Sequence, residues 1–130
     1  MTDVYEFLNS VESWFLATSE NNKPHVRPMG AQNIYNGRIY FLTGKKKDVY
    51  KQLIENPNIE VTAYKDGKWI RINGKAILDE SIEAQIDFLD HNPALKDMYK
   101  PGDDNTAVFY FDSCICAFYS FTSNPRIIKF

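Results

Sequence analysis

The chain has 130 residues, 44% hydrophobic and 25% charged, with a formal net charge of −2. That length suits one compact domain around one core, spanning residues 1–130. The charge balance argues against a nucleic-acid surface, and no apolar run approaches the roughly 18 residues of a membrane span.

The opening "MTDVYEFLNS" places Asp3 and Glu6 where a signal peptide carries positive charge, so a cytoplasmic location is expected. Val4, Phe7, Leu8 and Val11 recur at helical spacing and predict an amphipathic helix over 3–11. "SWFLATS" reads as a buried strand and "ENNKP" as a turn. "HVRPMGAQNIY" is extended, but Pro24 and Pro28 each remove a backbone donor, which argues against a regular central strand. Asn36–Gly37 is a two-residue hairpin turn, and "RIYFLT" returns from it. The strand from Tyr40 to Thr43 is therefore expected to lie back along that of Arg27. "TGKKKDVYKQLIENP" predicts a helix entered through Gly44 and stopped at Pro57, with Val49, Leu53 and Ile54 as its apolar stripe. Lys45, Lys46 and Lys47 then occupy its first turn.

"NIEVTAY" and "WIRINGKAIL" read as strands joined by the turn "KDGK". In "SIEAQIDFLDHN", Ser81 is a candidate N-cap and Ile82, Ile86 and Leu89 share one face. Asn92 and Pro93 mark a further helix start. "TAVFYFD" and "CICAFYSF" are expected to pair as a final hairpin, with "RIIKF" as a last short strand. Tightly connected strands argue for an antiparallel sheet, and 15% aromatic residues suit a barrel with helices over its ends and side. Cys114 and Cys116 fall on one side of a strand as small buried hydrophobes. No His or Cys cluster accompanies them, so no metal site is expected.

Two segments point to an anion. A cation in the first turn of a helix costs about 0.3–1 kcal/mol unless something negative belongs there, and helix N-termini bind anions through free amides. Arg27 is held extended by Pro28 and offers a fork of donors beside open backbone at Gly30. Each has a plain alternative: a solvated charge run, and an edge strand blunted by prolines. The hairpin makes them converge. The pattern is not a P-loop, because no second glycine is followed by Lys-Ser/Thr. His25 and His91 stand alone, and no group of catalytic acids is present.

The ordered set "KPHVRP", "GRIYFLT" with Thr43 sixteen positions after Arg27, "NP" fourteen positions after Thr43, and "KWIRINGKAIL" resembles the FMN-binding split barrels of the pyridoxamine 5′-phosphate oxidase superfamily. It is most similar to the short bacterial members grouped with nitroimidazole-resistance proteins. The resemblance implies a mainly β, six-stranded antiparallel split barrel with flanking helices, and a homodimer with FMN at the subunit interface. It implies that Arg27 contacts the FMN phosphate or ribityl chain, that Pro28 and Met29 lie against the flavin, and that Thr43 helps hold the cofactor. Trp69 matches a position that approaches the flavin, in some members from the partner subunit. At the helix start the vitamin oxidase has Ser-Arg-Lys where this chain has Lys47, Asp48 and Val49, so Lys45, Lys46 and Lys47 are expected to replace the basic pair. Gln32 stands where the oxidase has lysine, and the oxidase's C-terminal substrate signature is absent, so pyridoxamine phosphate is not the expected substrate. The expected function is FMN-dependent electron transfer from NADH or NADPH to a small acceptor such as a nitroaromatic or quinone. The alternatives are a flavin carrier without turnover and a heme-binding barrel.

Overall fold

The computed structural model describes residues 1–130. Helix α1 (Thr2–Ser10) precedes strands β1 (Trp14–Glu20), β2 (Lys23–Met29), β3 (Asn33–Tyr35) and β4 (Arg38–Gly44). Helix α2 (Asp48–Glu55) leads to β5 (Asn58–Lys65) and β6 (Lys68–Asp79). Helix α3 (Ile82–His91) and a 3-10 turn (Pro93–Asp97) lead to β7 (Thr106–Ser120) and β8 (Arg126–Lys129). No helix is long and apolar enough to cross a membrane.

The strands form one sheet in the order β2-β1-β5-β6-β7-β4-β3, with β8 paired to β7. Every pairing is antiparallel. The sheet has eight strands rather than six, because β3 and β8 add short edges of 3 and 4 residues. The architecture is that of a split barrel. β2 is an edge strand, as its prolines require. No ladder joins β2 to β4, so the expected pairing of Arg27's strand with Tyr40–Thr43 does not form; β4 pairs with β3 and β7 instead.

Alternation explains the core. Inward residues such as Leu16, Phe41, Ile70, Ile72 and Phe109 are fully enclosed, and each is worth about 1.5–3 kcal/mol of burial. Val4 and Leu8 of α1 and Val49 and Leu53 of α2 close over this interior. β4 is buried on both faces. Its Tyr40 and Leu42 point outward into a second cluster under Ala84, Phe88 and Leu89 of α3. That packing shifts the expected face of α3: Leu89 is buried as expected, but Ala84 and Phe88 take the places of Ile82 and Ile86, which are exposed. On α2 the buried stripe is Val49, Gln52 and Leu53, and Ile54 is exposed.

The turns at Asn36–Gly37 and Asp66–Gly67 carry positive φ at both residues, the geometry that joins twisted strands in two residues. The expected hairpin between "TAVFYFD" and "CICAFYSF" is instead one continuous strand. β7 follows β6 from Ser120 to Val108, interrupted only by a bulge where Ser113 turns to φ 53. Gly74 lies opposite this bulge, where an added Cβ would meet Cys114 Cα at 2.9 Å and Ser113 O at 3.0 Å. Backbone pairing over this length outweighs the local turn signal at Asp112–Ser113.

Candidate functional site

The gap between β2 and β4 is where the anion devices meet. A cavity of about 400 Å³ there is lined by Arg27, Pro28 and Met29 of β2, Leu42 and Thr43 of β4, and Lys47, Asp48 and Val49 at the start of α2. Of the residues expected at the site, five share this cavity: Arg27, Pro28, Met29, Thr43 and Lys47.

The lysine run does not lie within the helix. α2 begins at Asp48, so Lys47 is its N-cap and Lys45 and Lys46 belong to the preceding turn. Asn105 shapes that turn from a distance. Lys45 N donates to Asn105 O at 2.7 Å and Lys46 N to Asn105 Oδ1 at 3.2 Å. Lys45 Nζ reaches Asp104 at 3.6 Å, and Lys46 is exposed; neither lines the cavity. Asp48 suits the positive end of the helix. Lys47 contributes no side-chain cap bond, so the first amides of α2 are free of one. Free amides, the dipole and a cation at one place form an anion-binding arrangement.

Arg27 is held from the barrel side. Its Nη1 donates to Thr18 Oγ1 at 2.8 Å and Leu16 O at 3.3 Å, and its Nη2 donates to Gln52 Oε1 at 2.7 Å. Thr18 Oγ1 also donates to Gln52 Oε1 at 2.5 Å. Thr18 and Gln52 are buried polar residues on the inward faces of β1 and α2. Burial lowers the Arg27 pKa from its ordinary value, and the Asp48 carboxylate opposes that shift. The sequence reading missed Thr18 and Gln52. Their signal was present: Thr18 continues the inward series Trp14, Leu16, and Gln52 follows Val49 by three positions on the helix.

Trp69 lies elsewhere in the chain. It stacks on Tyr119 with centroids 5.4 Å apart and lies 5.1 Å from Phe121, in a groove bordered by Phe7 and Phe118. Within one chain it does not approach Arg27's cavity. His25 Nε2 is enclosed without a partner, and His91 Nδ1 contacts the Asp87 carbonyl at 2.8 Å. No group of three or more His, Cys, Asp or Glu is arranged to hold a metal.

Residues 1–111 match the family model described as pyridoxamine 5′-phosphate oxidase like. A NimC/NimA family protein from Clostridium acetobutylicum has a similar structure, with a TM-score of 0.96 and 33% identity over 100% of this chain and 92% of its own. Two more distant likenesses show the fold alone. A FAD-binding protein from Mesorhizobium loti has a TM-score of 0.63 at 14% identity, covering 92% of this chain and 94% of its own. A heme binding protein from Mycobacterium smegmatis has a TM-score of 0.73 at 15% identity, covering 95% of this chain and 55% of its own. No curated protein matches.

Proposed function

Because the chain belongs to the pyridoxamine 5′-phosphate oxidase-like family, we propose that it binds FMN non-covalently and passes electrons from NADH or NADPH to a small acceptor such as a nitroaromatic or quinone. The observation that carries this reading is the convergence of Arg27, Thr43, Lys47 and the uncapped start of α2 on one cavity. The donor set fits a phosphate: the Nε–H of Arg27 has no protein acceptor, and the helix amides lack a side-chain cap. Pro28, Met29, Leu42 and Val49 supply apolar surface beside it. The bound flavin supplies the two-electron chemistry. The chain's part is to anchor the phosphate, orient the ring and exclude water. No side chain is assigned proton transfer.

We further propose a homodimer. The outer face of the sheet carries a cross-strand row of Pro28, Phe15, Thr62, Arg71, Ala117 and Ile127. Val26, 68% exposed, flanks it. Phe15, Val26 and Ile127 leave apolar side chains exposed on this face, which supports an interaction there. Trp69, stacked beside Tyr119, belongs to the same outer face and is proposed to meet the flavin held by the partner subunit. Light scattering on the purified protein tests this, and a monomer would refute it.

Heme is the rival ligand. His25 Nε2 has no accessible surface to offer an iron, and His91 is engaged with Asp87. The deciding experiment is an absorption spectrum with a mass spectrum of the released ligand, followed by anaerobic addition of NADH or NADPH. FMN that bleaches supports the oxidoreductase. FMN that stays oxidised with both donors identifies a carrier, a Soret band identifies a heme protein, and failure to bind added FMN refutes the reading.

A further inference from the structure

We propose that Thr18 and Gln52 are positioning residues that set Arg27 to receive a phosphate, an inference that rests on the FMN reading above. A guanidinium has two forks, the Nη1/Nη2 end and the Nε/Nη2 side. The oxygens of Thr18 and Gln52 lie 2.5 Å apart and take the end fork, at 2.8 Å from Nη1 and 2.7 Å from Nη2. Leu16 O takes the other hydrogen of Nη1 at 3.3 Å. The Nε–H and the second Nη2 hydrogen remain, and they form the side fork. That fork matches two oxygens of a phosphate.

The lock does a second thing. Gln52 sits on α2, four residues after Asp48, or about 6 Å along the helix axis. Through Gln52 the arginine on β2 and the start of α2 are held as one rigid unit, although no ladder joins β2 to β4 across the split. A single glutamine oxygen accepting from both Thr18 and Arg27 fixes the spacing between the two anion devices. Arginine left without these partners would sample many rotamers, and that freedom would be lost on binding. Thr18 and Gln52 themselves do not line the cavity and touch no ligand.

The test compares FMN with riboflavin, which lacks the phosphate, by fluorescence titration of the full chain. Gln52→Leu and Thr18→Val are each expected to weaken FMN about tenfold, the value of a lost hydrogen bond to a charged group, and to change riboflavin by less than about twofold. Thr18→Ser, which keeps the hydroxyl, is expected to restore FMN affinity. In an Arg27→Ala background the same changes are expected to cost nothing further, because they act through the arginine. Gln52→Asn keeps an amide but withdraws the acceptor by one methylene, so it gives a second variant in which FMN affinity falls and riboflavin affinity does not. Equal losses for both ligands would show a purely structural role and overturn the inference. So would an intact preference for FMN in Gln52→Leu, Thr18→Val and Gln52→Asn when Arg27→Ala abolishes it. If Arg27→Ala itself leaves the preference intact, the underlying phosphate reading falls, and this inference with it.

Discussion

Single alanine replacements of Lys45, Lys46 and Lys47 are expected to separate sharply, although the three lysines are consecutive. Lys47 lines the cavity at the N-cap of α2, whereas Lys45 faces Asp104 and Lys46 faces solvent. A charge-assisted hydrogen bond is worth about 1.5–3 kcal/mol, and solvent exposure of Lys47 selects the low end. That corresponds to about a tenfold loss of FMN affinity in Lys47→Ala. The same change removes a cation from the positive end of a helix, which stabilises the ligand-free protein by about 0.3–1 kcal/mol. Opposite signs are therefore expected in two assays: weaker FMN binding by fluorescence quenching, and a higher melting temperature without ligand. Lys45→Ala loses only a surface ion pair, worth about 0–1 kcal/mol, and is expected to leave FMN affinity within about twofold. Lys46→Ala is expected to do likewise. Raising salt should narrow the difference between wild type and Lys47→Ala, because exposed phosphate pairing is screened. Equal losses of FMN affinity for all three variants, or a larger loss for Lys45→Ala, would refute this division of labour.

Asp48→Asn is expected to tighten FMN severalfold in titrations, because it removes a carboxylate from the cavity. It should also destabilise the ligand-free protein by about 0.3–1 kcal/mol, by withdrawing charge that complements the helix dipole. Asp103 tests acid sensitivity. Burial pushes its carboxyl upward, but the backbone amides of Thr106, Asn105 and Lys100 outweigh this and hold it well below the ordinary carboxylate range. A depressed carboxylate stabilises the fold above its unfolded pKa, about 3.9, and this contribution is lost as pH falls below that value toward the folded pKa. Asp103→Asn is thus expected to cost about 1 kcal/mol at neutral pH, a value discounted for exposure, and progressively less below about pH 4 in denaturant titrations. Burial pushes the thiols of Cys114 and Cys116 up to about 11 and about 12, so iodoacetamide should label them only in denaturant.

Features set by neighbours in the sequence were legible. The turns at Asn36–Gly37 and Asp66–Gly67 need left-handed residues, and Ser81 does cap α3, accepting from Ala84 N at 3.3 Å. Helix α1 shows its stripe because Val4 and Leu8 face one side only. Features decided by distant partners were not. The turn that keeps Lys45 and Lys46 out of α2 is shaped by Asn105, sixty residues after Lys45. Ile82 and Ile86 look like a core stripe, yet α3 packs on the outer side of β4 through Phe88 and Leu89. β7 ignores a turn signal because β6 pairs with it on both sides of the bulge. At the site, Arg27, Thr43 and the helix start were readable from spacing, but they meet across the split rather than along a shared ladder. The inward placement of Thr18 and Gln52 was readable from periodicity, but that Gln52 meets Thr18 and Arg27, 34 and 25 residues away, was not.

Calorimetric titration of the ligand-free protein with FMN and with riboflavin addresses the anion site directly. One FMN per chain, bound at least about a hundredfold more tightly than riboflavin, is the expected result for a phosphate held by Arg27, Lys47 and the start of α2. Equal affinity for the two flavins, or no binding of either, would contradict the assignment of this cavity.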